Sequence, residues 1–356
     1  MQNTFLTPEV VANEALMCLT GNLVMADLVH RDYADEFVSV GDTISIRKPA
    51  KFVAKNFTGV TEPQDITEGS VSVKLDRFRD VTVAVTSKQM SLDIADFSAQ
   101  VVQPAMQAIA QAIDQDLLAL AVEKAGFRKD GTQDAKDLAD IAALAKQLDI
   151  AKAPVQNRSL VLHPEHKYRY ALTENLSNVS YAGDNETLRD ALLGKVYTLD
   201  TYMDQNAPDS LAAQPGTATT IKISGAKGDT LISVVEQDGT IQAGDGFILD
   251  GYIYRFVTGG DGFLTIDEPL MRSANEEVTV VNAPTSVAFH RNALALVSRN
   301  LALPMGAANA AYASAGGLGV RVVYDYDSTT KTDKISFDVI YGIQELEPQL
   351  ICTLNG

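Results

Sequence analysis

The chain has no tryptophan, only two cysteines and only four histidines in 356 residues. Cys18 and Cys352 lie at opposite ends, too few for a secreted disulfide scaffold, so a reducing cytoplasm suits the sequence better. Basic residues are outnumbered, 29 Lys and Arg against 46 Asp and Glu, for a formal charge of −17. Gripping nucleic acid through phosphates requires clustered Lys and Arg, so this balance argues against that function. Nor is there a basic aromatic stripe on which bases would stack. No apolar run approaches the roughly 18 residues of a membrane span. The N-terminal stretch MQNTFLTPEVVANEALMC has no basic region and carries Glu9 and Glu14 where a signal peptide would be apolar.

What is present is ordinary globular composition, 46% hydrophobic and 21% charged, which excludes global disorder. The length allows two or three domains and a large core. Residues 7–19 read as a short helix with Thr7 as N-cap, Pro8 in the first helical position and Glu9 complementing the dipole. Residues 41–90 differ in kind. DTISIRKP and VSVKLDRFRDVTVAVTS alternate as strands and flank a polar stretch of about 20 residues rich in turn formers. The spacing predicts a hairpin of two long strands with little core of its own. Its charges are mixed, eight basic residues against six acidic.

Residues 97–126 switch to helical period, with Val102, Met106, Ile109, Ile113, Leu117 and Ala121 on one stripe. Pro104 belongs in the first turn or marks a kink, and Gly126 ends the element. A second helix, DAKDLADIAALAKQL, precedes the apolar strand RSLVL, a short helix from Pro164 and another over about 186–193. Between Met203 and Thr285, short β-rich runs alternate with Asp-Gly turns at 238–239, 250–251 and 261–262, and FILDGYIY is a hairpin signature. This stretch holds twelve acidic and four basic residues, a net of −8, and reads as a compact inserted β module. Beyond it, AFHRNALALVSRNLAL reads as a helix stopped by Pro304, MGAANAAYASAGGLG as a small, flexible segment, and VRVVYDYD and DKISFDVIYGIQELEPQLICTL as closing strands.

The chemistry-bearing patterns are weak. His163-Pro-Glu-His166 is poorly spaced for a metal and is better read as a strand-to-helix junction with Pro164 at the first helical turn. The glycines at 316, 317 and 319 lack phosphate-loop spacing and read as a loop tip. Asp134, Asp137 and Asp140 cluster near a helix start, where the dipole favours acids. The Asp-Gly turns lack the alternating ligands of a calcium loop. No nucleophile pattern is present. No catalytic, cofactor or metal residues are assigned.

The order of elements carries a resemblance. LTPEVVANEALMCLTGNLVMADLVHRDY followed by GDTISIRKP resembles the N-terminal arm and extended-loop start of tailed-bacteriophage major coat proteins. The long helix from near Phe97 resembles their spine helix. VAFHRNALALVSRNL is similar to the stretch after their variable region, and FDVIYGIQELEPQLICTL to their closing strand. The inserted β module resembles the podovirus-type branch, whose members carry an extra β-barrel. The resemblance implies an α+β, Hong Kong 97-type capsid fold. Its parts would be an arm over 1–40, an extended loop over 41–90, a peripheral domain with the spine helix over 91–133 and an axial domain over 134–202. The β module would span 203–285, and 286–356 would return to the axial and peripheral domains.

It further implies a non-enzymatic shell protein, made in the host cytoplasm and residing in the virion. Its main partner would be itself, in pentamers and hexamers, with scaffolding and portal proteins as further partners, packaged double-stranded DNA nearby and no membrane. Arg47, Lys48, Lys51, Arg77 and Arg79 are the candidate inter-subunit contacts, expected to meet acidic surface on an adjacent subunit. A bacterial surface or adhesion protein is the competing reading, favoured by Asp-Gly β modules and opposed by the missing secretion signal and repeats.

Overall fold

The computed structural model describes residues 8–31, 43–48, 69–86, 98–130, 138–173, 176, 193–207, 220–237, 240–241, 245–250, 252–258, 260, 262–266, 268–281, 284–304, 309–327, 329 and 332–355. The chain divides into two compact units. One comprises Met1–Leu23, His30–Ala112 and Leu294–Leu346, and the other Val24–Val29, Ile113–Ala293 and Glu347–Gly356.

In the first unit the N-terminal helix α1, Pro8–Asn22, buries Val11, Ala12, Ala15, Leu16 and Leu19. Their spacing of three to four residues lines one face of a helix, and that face lies against a sheet. The strands of that sheet are β3 (Arg77–Thr86), β15 (Leu294–Arg299), β16 (Asn309–Ala315), β17 (Leu318–Asp327) and β18 (Thr332–Glu345), with α1 over β16 and β17. β18 is the hub. Its residues 332–341 pair with β3, and 332–338 and 340–345 pair with β17 and β15. Two partners of the same residues must occupy opposite edges, so β3 flanks one side and β17 with β15 the other. Ile335, Phe337, Val339 and Tyr341 are all buried on one face at the strand period of two.

A separate two-stranded ladder joins β1 (Thr43–Lys48) to β2 (Gly69–Lys74), from Thr43↔Lys74 to Lys48↔Gly69. Its base is rooted in this unit. Val73 is fully buried in a cluster with Ala295, Val297 and Leu346, and Val71 and Leu75 pack against that cluster. β2 comes so close to β18 that a Cβ on Gly342 would lie 2.2 Å from the Lys74 carbonyl oxygen. β16 and β17 meet at a two-residue turn in which Gly316 and Gly317 have φ of +57° and +79°, the backbone of a type I′ hairpin.

The second unit centres on a mixed sheet of β4 (Phe127–Asp130), β19 (Ile351–Asn355), β14 (Thr285–His290), β5 (Arg158–Leu162), β7 (Leu199–Met203) and β6 (Lys195–Val196), in that order. Every residue of β5 and β14 is buried. Helix α4, Leu138–Ile150, covers β19, β14 and β4 with Ile141, Leu144, Ala145 and Leu148. The buried Arg158 guanidinium donates to the carbonyls of Ala153 and Pro154 at 2.7 and 2.8 Å, pairs with Asp149 at 2.8 Å and reaches Thr198 Oγ1 at 3.3 Å. Thr198 lies in the β6–β7 turn at φ +73°, strained for a β-branched residue.

The long helix α3, Gln103–Glu123, follows a π-helical turn at Ser98–Val102. Pro104 explains the wide turn, because it has no N–H for an i−4 bond and its ring would press on the Gln100 carbonyl. The expected apolar stripe is present, with Val102, Met106, Ile109, Ile113, Leu117 and Ala121 all buried.

Strands β8 (Thr220–Gly225), β9 (Leu231–Gln237), β10 (Gly246–Leu249), β11 (Tyr252–Arg255), β12 (Phe263–Thr265) and β13 (Ala274–Val281) form the β module, in the order β11-β10-β13-β8-β9-β12. Asp250 has φ +53° in the two-residue β10–β11 turn, as the Asp-Gly signature predicts. The module has its own core, in which Phe247 packs on Tyr254 and Phe256 with ring centroids 5.3 and 5.5 Å apart. An inserted barrel is not established. The described pairing is an open path whose ends meet beyond β11 and β12 at one isolated bridge, Phe256↔Ile266.

Three other readings of the sequence are corrected. The stretch after the module is not a helix but β14, a 3₁₀ turn at Arg291–Ala293, and β15. Its apolar run is buried on both faces, and a continuously buried strand cannot be told from a buried helix by periodicity. Residues 309–319 form a strand and a tight turn, not a flexible segment. The second long strand of the expected hairpin is two strands, of which only β2 pairs with β1 while β3 joins β18. Residues 186–192 of the helix expected over about 186–193, and the Asp134 and Asp137 pair, lie outside the described residues.

Phe247→Ala leaves a cavity in the module core and is expected to lower stability by about 3–5 kcal/mol, read from chemical denaturation.

Candidate assembly surfaces

β1 carries Arg47 and Lys48 at its end, opposite Ser70 and Gly69 of β2; their side chains, and Lys51 entirely, lie outside the described residues. Arg77 and Arg79 stand apart from them on β3, in register with Tyr341 and Val339. Alternation turns both toward the sheet face that carries the buried Tyr341 and Phe337, and both are half-buried. Arg79 Nε donates to the Tyr341 hydroxyl at 3.2 Å. Arg77 and Arg79 therefore belong to a different strand from Arg47 and Lys48, the one that pairs with β18.

The opposite face of β3 is exposed and carries Asp80 and Thr82 between Phe78 and Ala84. Asp80 on β3 and Asp338 on β18 are directly cross-strand, an arrangement that like charges oppose. Ser336 Oγ lies 2.8 Å from a carboxylate oxygen of each. Arg321 Nε donates to Asp338 at 2.9 Å and Arg321 Nη1 to the Ala302 carbonyl at 2.8 Å. Burial pushes the Asp80 carboxyl up, but hydrogen bonds to Ser336, Asp338 and Thr82 and the Arg321 charge outweigh it and hold the group below the usual range. Sequence reading missed this row because its members come from three strands.

The histidine pair is a junction. His163 caps helix α5, Pro164–Ala171, its Nδ1 accepting from the Glu165 amide at 3.1 Å, with Pro164 in the first turn. His166 Nδ1 lies 2.6 Å from Ser286 Oγ, which also accepts from the His163 amide at 3.0 Å. Both His166 and Ser286 are fully buried, so this Ser–His pair offers no nucleophile to a substrate; it joins α5 to β14. The two residues are 120 positions apart, which hid the pair from sequence reading. Among the described residues no three His, Cys, Asp or Glu side chains gather as a metal site, and no helix is long and apolar enough to cross a membrane.

Comparison with known proteins places this geometry. No curated protein matches the chain. Solved structures do, at low identity. A structure of Mycobacterium phage Che8 aligns at 16% identity with TM-score 0.58, covering 93% of this chain and 90% of that one. The capsid structure of cyanophage P-SCSP1u aligns at 12% identity with TM-score 0.52, covering 89% and 84%. The mature capsid of bacteriophage PhiM1 aligns at 10% identity with TM-score 0.50, covering 88% and 82%. These likenesses identify the fold, the Hong Kong 97-type capsid fold. The family model for P22 coat protein, gene protein 5, matches residues 3–252. Since that match spans most of the sequence, the chain belongs to the P22 coat protein family and is a tailed-phage major capsid protein.

Proposed function

We propose that copies of this chain associate into pentamers and hexamers that close an icosahedral head around packaged phage DNA, with the β1/β2 loop as a principal contact between neighbours. The observation that carries this reading is the β1/β2 ladder. Among the described residues it pairs with no third strand, and an isolated two-stranded ribbon is marginal in water. Its base is anchored on β18 by Val73 and by the close approach at Gly342. A ribbon rooted at one end gains stability by laying its other end on a second copy.

In this reading Arg47, Lys48 and Lys51 meet acidic surface on the adjacent subunit, while Arg77 and Arg79 hold the root. Head-to-tail contacts of this kind close into rings when the rotation permits. Each contact is weak, and their number makes the shell stable. The charge of −17 keeps the chain from gripping DNA, so packaged DNA stays releasable. Scaffolding and portal proteins would act on the same subunits, and the chain would catalyse nothing.

Replacing residues 49–68 by Asn-Gly would close the ladder where Lys48 already faces Gly69, with a turn suited to a two-residue hairpin. The expected product is a folded protein that assembles poorly, followed by circular dichroism and negative-stain microscopy. Normal shells from it would refute the role of the loop. Gly342→Ala is expected to lift β2 from β18 and reduce assembly, read by sedimentation velocity. Reversing Arg47, Lys48 and Lys51 to Glu should weaken association, with the deficit shrinking at high salt because screening removes the repulsion.

A further inference from the structure

Asp114 sits in α3 beside the buried stripe residue Ile113, and only 1% of its surface is exposed. An enclosed carboxylate needs donors. Asp114 has three. Its Oδ2 accepts from the Val24 amide at 2.9 Å, and its Oδ1 from the amides of Met25 and Ala26 at 3.1 and 3.3 Å. These amides open the one-turn helix α2, Met25–Leu28, and Val24 supplies no side-chain cap. Asp114 thus performs the task of an N-cap side chain from about 90 residues away. The segment it holds is itself buried at Met25, Ala26 and Val29.

A second buried carboxylate acts on the same place. Asp204, just after β7, is 3% exposed. Its Oδ1 accepts from the backbone and side-chain amides of Asn206 at 2.8 and 3.0 Å, while its Oδ2 has no hydrogen-bond partner among the described residues. Burial pushes Asp114 up to about 7 against the three amides, and the charge of Asp204 adds to the rise. Burial pushes Asp204 up as well, against Asn206. Asp27 on α2 and Asp116 on α3 have interactions of their own. A metal cation suits the place badly, because both Asp114 oxygens already face N–H groups at the positive end of α2. A proton needs only one lone pair.

We propose that Asp114 and Asp204 form a proton-operated fastener that holds residues 24–29 on α3, firm when Asp114 is protonated and looser when both groups are charged. The sign follows from linkage. In the closed state Asp114 titrates near 7, and once opened to water it returns toward 3.8. The opened form therefore gains on the closed one as pH rises from about 4 to 7, and the gain levels off above that. The inference concerns a contact within the second unit and stands whether or not the β1/β2 loop mediates assembly.

Amide hydrogen exchange of residues 24–26 in the purified full chain tests it, under conditions where reclosing outruns exchange. After correction for intrinsic rates, the opening constant is expected to rise about thirtyfold between pH 5.5 and 8, with a bend near 7. Asp204→Asn keeps the three amide bonds and should move the bend to lower pH; Asp114→Asn should flatten the profile. Exchange independent of pH in the unaltered chain, or a bend that Asp204→Asn leaves in place, would overturn the proposal. Should Asp114→Asn fail to fold, the comparison of the unaltered chain with Asp204→Asn still decides.

Discussion

The first unit depends on the pairing of β18. Fourteen residues long, this strand is read by β3 along one edge and by β17 and β15 along the other, so one register positions four strands. A slip of one residue would carry Ile335, Phe337, Val339 and Tyr341 to the opposite face and expose them, which is why the register is strongly specified. The same strand supplies Gly342, the point where β2 comes closest, so the root of the β1/β2 ladder inherits its position from β18. The contact surface proposed for neighbouring copies is thus governed by a strand that begins about 250 residues further along the chain.

The second unit is closed by the end of the chain. β19 lies inside its sheet, between β4 and β14, and its Cys352 and Leu354 are fully buried. Burial alone raises the Cys352 thiol to about 12, so it behaves as a small apolar side chain and not as a reactive thiol. The turn into β19 is equally tight, since a Cβ on Gly126 would lie 2.5 Å from the Pro348 carbonyl oxygen. Because β4, β5, β14 and β19 come from distant parts of the chain, this sheet is completed by long-range contacts, which favours slow folding. The β module differs. Its strands are consecutive in sequence and enclose their own cluster of Ile, Val, Leu and Phe, so it has the makings of a local folding unit inserted between β7 and β14.

Local chemistry made many elements legible before any tertiary information. The helical stripe of α3, the effect of Pro104, the junction at His163-Pro164 and the Asp250-Gly251 hairpin each rest on spacings of a few residues. Misreadings occurred where local pattern is ambiguous. β14 and β15 are buried on both faces, so neither a period of 2 nor one of 3.6 shows. β16 is built of Ala, Ser and Asn around a single Tyr312, and its small side chains hide a strand. Arg77 and Arg79 read as loop charges because the break after Leu75, which sends the chain from β2 into another sheet, has no glycine or proline to mark it.

By itself the sequence determined an N-terminal helix, a β loop, a long helix and an acidic β insertion, because periodicity, turn chemistry and charge are local or additive, while the α+β capsid fold rested on the resemblance carried by the order of these elements. Only the tertiary structure decided which strands share a sheet, where the loop is rooted and which carboxylates lie away from water. Those depend on contacts between residues tens to hundreds of positions apart, such as Asp114 with Val24 or Gly342 with Lys74. Nothing in the neighbourhood of either partner along the chain announces the other.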